Sequence, residues 1–371
     1  MNSHSETQYF IGLMSGTSTD GVDGALVAFE KGSLPRIIAF SSLGMPSDLR
    51  ATFLALNKAG ENELQQAYLA ANALADLYAQ CCQQLLSDSG LTPVQITAIG
   101  AHGQTVRHRP DLGFTVQLNA PARLAELTDI DVIADFRSRD VATGGQGAPF
   151  APLLHQALFS EDNKTRVILN LGGIANITLL APQHSLLGFD TGPANALMDY
   201  WIDKHLGKTF DADGAWGASG EIHQELLAQL LSEPYFNKAA PKSTGRDLFN
   251  PAWLEAHLNK ITESISAVDV MATLRALTTH SVAHAIHQYS TQVDEIIVCG
   301  GGVKNKALMR ELQELMKCEV NAIEKYGFDS QAIEALAFAW LAKAFCDKEP
   351  LNFPTLTGSR RATIAGALYP R

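Results

Sequence analysis

The chain has 371 residues, 46% of them hydrophobic and 18% charged, and 28 basic against 39 acidic side chains leave a net charge of -11. That length exceeds what one hydrophobic core serves and predicts two lobes with a cleft between them, while the acidic balance excludes an electrostatic footprint for nucleic acid or anionic membrane. No uninterrupted apolar span suggests a membrane segment; residues 1–6 lack the basic and apolar regions of a signal peptide, and the five cysteines contain no C-x-x-C pair. The reading is a soluble cytoplasmic protein with core cysteines and neither a structural zinc site nor a redox motif.

Residues 9–29 read as a strand, a hydroxyl-rich acidic turn and a second strand. Gly12, Gly16, Gly21 and Gly24 remove Cβ atoms where a backbone turns sharply or approaches a ligand, and Ser15, Thr17, Ser18 and Thr19 offer donors to phosphate oxygens. Asp20 and Asp23 can hold Mg²⁺, directly or through its waters. The segment has neither the lysine of a Walker loop nor a G-x-G-x-x-G run opening a helix. Ordinary turn chemistry uses the same residues, so this stretch alone reads equally as a phosphate loop or a plain hairpin.

A third strand is expected from residue 36 to 42 and an amphipathic helix over 63–87. Residues 96–101 form a short buried strand ending in HGQT, 114–118 another strand, 121–127 a helix start and 131–135 a strand. The glycine-dense stretch 136–148 reads as the loop crossing between lobes. Residues 166–180 and 187–193 then repeat the opening in outline, as strand, glycine turn, strand and a third edge ending in Asp190. Helices are expected over 195–206, 272–289, 306–316 and 330–345, with a loop over 207–220. Between them a buried strand from residue 295 delivers Gly300, Gly301 and Gly302. His280, His284 and His287 fall at helical spacings, but no H-E-x-x-H accompanies them, and a solvated or core helix face is the better reading.

Glycine turns after apolar strands at 12–24, at Gly172 and Gly173 with Asp190-Thr-Gly192, and at 300–302 suit a nucleotide approached by backbone from two lobes. Sugar kinases, actin and the heat-shock ATPases share this layout. Six motifs narrow the resemblance: GLMSGTSTDGVD (12–23), AHGQTVRHRP (101–110), DFRSRDVATGGQGAP (135–149), NLGGIAN (170–176), FDTGP (189–193) and KSTGR (242–246). In type and order they closely resemble the anhydro-N-acetylmuramic acid kinase family over nearly the whole chain.

The resemblance implies an α/β, two-lobed actin-like ATPase (sugar kinase, ribonuclease H-like) fold with a central active-site cleft. It further implies an ATP-dependent kinase that opens the 1,6-anhydro bridge of its sugar with water while phosphorylating O6, in murein recycling. On this reading Asp190 is the catalytic base and Gly16, Thr17, Ser18, Thr19, Asp20, Gly21, Val22 and Asp23 bind nucleotide together with Gly172, Gly173, Gly300, Gly301 and Gly302. Asp20 and Asp23 hold Mg²⁺, and the sugar is assigned to His102, Gln104, Arg137, Arg139, Asp140 and Glu334. Expected partners are a small-molecule sugar and a second copy in a homodimer, with no nucleic acid or membrane. The lobes are expected at 1–135 and 136–371, with the C-terminal segment able to pack back on the first.

The residue chemistry leaves bland readings open: Asp190 can cap the helix after it, Arg137, Arg139 and Asp140 can form surface ion pairs, and His102 can be a satisfied core histidine. Competing functions are a kinase of another amino sugar, a two-carboxylate glycosidase, which has no use for three phosphate-type loops, and a nucleotide-switched chaperone or filament subunit without a sugar site.

Overall fold

The computed structural model describes residues 7–182 and 184–371; residues 1–6, read above for a leader, lie outside it. The chain forms two compact units, one from the described residues up to Leu154 together with Gly327–Arg371, the other His155–Tyr326.

The first unit is built on a sheet of β1 (Gln8–Met14), β2 (Gly21–Phe29), β3 (Arg36–Gly44), β4 (Ile96–Ala101), β7 (Val132–Ala134) and β13 (Ala367–Tyr369), in the order β13-β7-β4-β1-β2-β3. β5 (Gln104–Arg109) and β6 (Phe114–Leu118) make a separate hairpin. β1 pairs antiparallel with β2 and parallel with β4. Phe10, Ile11 and Leu13 of β1 are fully buried, as a strand covered on both faces requires. On one face the helix Glu63–Ser89 packs Leu74, Tyr78 and Leu85 into the core, and it stops at Gly90, whose φ of 69° supplies a left-handed cap. The helix Ile333–Cys346 crosses β1 closely: a Cβ on Gly12 would lie 1.8 Å from the Ala335 carbonyl, and one on Gly100 2.0 Å from that of Phe338. Gly12 is therefore a packing residue.

The second unit holds β8 (Arg166–Leu171), β9 (Ile174–Leu180), β10 (Leu187–Pro193), β11 (Glu295–Cys299) and β12 (Glu319–Ala322), in the order β10-β9-β8-β11-β12. β8 and β9 are antiparallel, as are β9 and β10, whereas β8, β11 and β12 run parallel. The same pattern joins β3, β2, β1, β4 and β7. This doubled ribonuclease H-like strand order is the actin-like, sugar-kinase fold expected from the sequence. β11 is buried along its whole length, and Val298 packs in a core with Leu169, Ile177, Leu274, Leu277 and Leu308.

The boundaries differ from a division at residue 135. Residues 136–148 are not a crossing loop: they contain the helix Ser138–Ala142 and stay in the first unit. The fully buried Asp140 accepts hydrogen bonds from the Gly147 N–H (2.7 Å) and the Thr357 hydroxyl (2.7 Å), folding the glycines back onto the helix. The expected loop 207–220 holds the short helices Ala212–Gly214 and Ala215–Ala218. None of the five cysteines forms a disulfide within the described residues; Cys81, Cys82 and Cys299 are core residues, but Cys346 at the end of its helix is exposed. Among the described residues no helix is long and apolar enough to cross a membrane.

Candidate active site

In the first unit the turn between β1 and β2 leads into a buried polar network. The Ser15 hydroxyl donates to Gln104 Oε1, and Gln104 Nε2 donates to the Gly16 carbonyl (3.1 Å). His102 Nδ1 lies 3.3 Å from the Ser15 carbonyl, so it is the protonated nitrogen, leaving Nε2 to accept from Arg137 Nε (3.1 Å) and Nη2 (3.0 Å). Burial, with the Arg137 charge beside it, pushes the His102 pKa down to about 3, so the ring is neutral at physiological pH. Arg137 Nη1 donates to the Gly147 carbonyl (2.7 Å), and the guanidinium lies 5.1 Å from the centre of the Phe150 ring.

Glu334, in the first turn of its helix, keeps an open face to solvent while surrounding protein crowds its carboxyl. That desolvation raises its pKa, with the Asp23 charge adding to the rise and Arg137 opposing it. Asp23 is raised by burial too, against a hydrogen bond with Ser42. Asp23, Arg137 and Glu334 thus form one electrostatic group, with His102 and Gln104 behind it.

Other residues assigned from the sequence have different surroundings. The Thr19 hydroxyl donates to the Ser18 carbonyl and Ser15 is occupied by Gln104, so Thr17 and Ser18 present the exposed hydroxyls of the turn. Val22 is wholly buried in β2, and a Cβ on Gly21 would lie 2.4 Å from the Leu43 carbonyl, so both serve the sheet. Asp20 is exposed, 3.7 Å from Arg50. Both oxygens of Asp140 are committed within the protein, and Arg139 lines a separate cavity. Among the described residues no three His, Cys, Asp or Glu cluster as metal ligands, His280, His284 and His287 included.

In the second unit Asp190 sits where the β9–β10 register shifts. The Thr244 N–H donates to its Oδ2 (3.0 Å), the Tyr235 hydroxyl donates to its carbonyl (2.7 Å), and its own N–H donates to the Lys242 carbonyl (3.2 Å). Oδ1 accepts nothing from the described residues. Half-buried, the carboxyl is pushed above its usual range by desolvation, with the Thr244 bond opposing. Lys242 Nζ is itself tied to the carbonyls of Tyr235 (3.3 Å) and Phe236 (3.0 Å).

The glycine turns lie at the N-terminus of the helix Asn195–Leu206: the N–H groups of Ala194 and Ala196 bond the Gly173 carbonyl, and that of Asn195 bonds Gly172. Gly300 has a φ of 82°, and a Cβ there would lie 2.4 Å from Asn170 Oδ1, so no other residue fits. Gly301 and Gly302 line a cavity of about 240 Å³ with Asn195, Met198, Asp199, Phe210, Asp211, Asp213, Lys304 and Asn305. It offers an apolar plane at Phe210, carboxylate acceptors, one lysine and glycine backbone. Burial raises the Asp199 pKa to about 6, with Arg246 opposing. Apart from Gly301 and Gly302, these pocket residues escaped the sequence reading; Arg246, whose charge acts on Asp199, belongs to the KSTGR motif quoted above without a role.

A doubled ribonuclease H-like fold, a glycine-lined pocket and a raised carboxyl with one oxygen that no described residue bonds fit the class of nucleotide-dependent phosphotransferases. The chain belongs to the anhydro-N-acetylmuramic acid kinase family, whose pattern it matches over residues 8–371. The anhydro-N-acetylmuramic acid kinase of Bordetella pertussis strain Tohama I is 54% identical over 369 residues, covering 99% of this chain and 97% of that protein. That of Burkholderia cenocepacia strain J2315 is 50% identical over 374 residues, covering 99% and 98%. Among solved structures, component A of (R)-2-hydroxyglutaryl-CoA dehydratase from Acidaminococcus fermentans is a loose likeness, with a TM-score of 0.47 and 12% identity over 91% of this chain and 99% of that one. The fold therefore rests on the strand order. As a kinase of this family the chain uses ATP.

Proposed function

We propose that this chain phosphorylates O6 of 1,6-anhydro-N-acetylmuramic acid with ATP while water opens the anhydro bridge, giving N-acetylmuramic acid 6-phosphate and ADP. The observation that carries the mechanism is Asp190, whose Oδ2 is pinned by the Thr244 N–H while Oδ1 is left free. A carboxylate oriented by one oxygen and raised by burial is suited to take a proton from water. The water oxygen bonds to C1 as the C1–O6 bond breaks. O6 attacks the γ-phosphorus, the bond from that phosphorus to its bridging oxygen breaks, and ADP departs.

In the first unit Arg137 is assigned to the lactyl carboxylate of the sugar, since a guanidinium matches that group in geometry and charge. His102, neutral and bonded through both nitrogens, holds Arg137 rather than titrating. Glu334 accepts from sugar hydroxyls, and Gln104 fixes the turn carrying Thr17 and Ser18. Asp140 positions Arg137 indirectly, by holding Gly147.

In the second unit Phe210 stacks on the base of ATP, and the glycines at 172, 173 and 300–302 approach the nucleotide through backbone. Asp20 and Asp23 are the residues that would hold Mg²⁺: their oxygens suit a hard cation, and a cation beside Asp23 relieves its repulsion with Glu334. Bound there, the ion would neutralise phosphate charge. The protein is assigned to the cytoplasm, to murein recycling and to a homodimer.

The test is turnover in ¹⁸O-labelled water with 1,6-anhydro-N-acetylmuramic acid and ATP. Label at C1 and none in the transferred phosphoryl group is the expected result. Product without label at C1, or ADP release driven only by another amino sugar, overturns the assignment.

A further inference from the structure

The KSTGR segment, residues 242–246, links Asp190 to the first glycine turn of the second unit. The Lys242 carbonyl accepts from the Asp190 N–H (3.2 Å), and the Thr244 N–H donates to Asp190 Oδ2 (3.0 Å). Just beyond, the Gly245 carbonyl accepts from the N–H groups of Leu248 (3.2 Å) and the fully buried Phe249 (3.0 Å), so the backbone that carries Arg246 is fixed on both sides. Its side chain runs to the helix Asn195–Leu206. A Cβ on Gly173 would lie 3.9 Å from Arg246 Nη2 and 3.5 Å from the Ala196 Cβ, and one on Gly301 would lie 3.9 Å from Asn195 Nδ2. The two glycine turns thus flank one helix end, with the cavity that holds Phe210 on the Gly301 side and the guanidinium on the Gly173 side. Asp199, one turn along that helix, gives the same placement, because the Arg246 charge opposes the burial that raises its carboxyl. The lysine of the segment is committed elsewhere, with Nζ bonded to two carbonyls, whereas no described residue accepts a hydrogen bond from the Arg246 guanidinium.

We propose that Arg246 is a catalytic residue of phosphoryl transfer, whose guanidinium donates to the γ-phosphoryl oxygens at the Gly173 turn. The inference rests on the kinase reading above and adds the group that meets the transferring charge. Spacing supports it. Asp190 is paired with Asn176, three residues beyond Gly173, and three extended residues span about 10 Å. A base, its water, C1, O6 and phosphorus aligned for reaction, with about 3 Å between reacting neighbours, fill about the same length. A base at Asp190 therefore puts phosphorus beside Gly173, within reach of Arg246. As the bond from O6 to phosphorus forms, the bond from phosphorus to its bridging oxygen breaks and the electron pair leaves with ADP; Arg246 stays protonated throughout and gives N–H donors to the equatorial oxygens. Because Thr244 and Arg246 sit two residues apart on one fixed segment, the same few residues orient the base and present the cation.

The experiment is calorimetric titration with ADP in Mg²⁺, with and without aluminium fluoride as a mimic of the transferring phosphoryl group, on the unaltered chain, Arg246→Gln and Arg246→Lys, beside turnover of 1,6-anhydro-N-acetylmuramic acid with ATP. Fluoride should tighten ADP binding to the unaltered chain. Arg246→Gln should lose about tenfold or more of that gain while binding ADP alone as before, which also reports folding, and Arg246→Lys should lose less. In turnover, Arg246→Gln should lower kcat by about 10²–10³-fold with the KM for ATP little changed, the split of a contact made in the transition state. An arginine that only neutralises Asp199 at the surface would move neither quantity. Fluoride that tightens ADP equally in every protein, or in none, overturns the role, as does a kcat in Arg246→Gln within about threefold of normal. Tightening that depends on Arg246 in a chain that leaves the anhydro sugar unchanged upholds the role and overturns the assigned substrate instead, so the two failures are distinguishable.

Discussion

The two sheets share one strand order but use their first hairpins differently. Between β1 and β2 the turn spans residues 15–20 and presents Thr17, Ser18 and Asp20 to solvent, with its base locked by Gln104. Between β8 and β9 the turn is only Gly172 and Gly173, and it is closed by the N-terminal backbone of the helix Asn195–Leu206. One hairpin offers side chains and the other offers backbone. The third strands diverge as well: β3 carries Ser42 beside Asp23, whereas β10 carries Asp190 with an oxygen to spare. A repeated topology thus supplies the same scaffold twice, and the chemistry follows from what each edge leaves unbonded.

The largest break in that contrast should come from Asp190→Asn. Turnover is expected to drop by ~10²–10⁴-fold with ATP affinity kept, since an amide cannot take the proton. Rapid-quench kinetics beside nucleotide titration measure both, and near-normal turnover would return the catalytic role to the first unit. Gly12→Ala should cost about 3 kcal/mol of stability, read by urea unfolding, because its Cβ meets fixed backbone at 1.8 Å. A neutral outcome would mean that the helix Ile333–Cys346 yields.

Buried His155, whose pKa is lowered from 6.5 to about 4, gives a pH signature in the second unit. The unfolded chain binds its proton first, so stability is full above about pH 6.5 and is lost as pH falls toward 4. His155→Gln should flatten the unfolding midpoint over that window, and an unchanged slope would place the acid sensitivity elsewhere. Asp140→Asn leaves one of two donors facing an amide N–H₂, at about 1–3 kcal/mol, with a rise in sugar KM through Arg137. The smallest effect is Phe210→Ala, which should raise the KM for ATP about fivefold through lost stacking while kcat holds, the mark of uniform binding.

Much of the fold was legible because apolar runs and glycine punctuation are local: β4, β6, β10 and the helices Asn195–Leu206 and Lys306–Met316 lie where periodicity puts them. The helix Ser138–Ala142 was not, since five residues give too little periodicity and the glycines after it dominate the pattern. Its reason to form is distant, in the bond from Thr357 to Asp140. The site was legible by residue type and less so by role. Gly21 and Val22 look like part of a ligand loop in sequence but are consumed by the β2–β3 pairing. The partners of Asp190, Tyr235 and Thr244, lie about fifty residues downstream, and no local pattern announces a bond across that span.

The first unit is interrupted by the second, and this has a consequence for synthesis. β1 and β4 leave the ribosome early, yet the helix that presses on Gly12 and Gly100, and the edge strand β13, come only after Tyr326. His155–Tyr326 can therefore complete its own core while the first sheet still has one face bare. During that interval Phe10 and Ala98, which alternate onto the same face as Gly12 and Gly100, belong to an unfinished surface, a natural ward for chaperones, and a translational pause before Gly327 would lengthen the exposure.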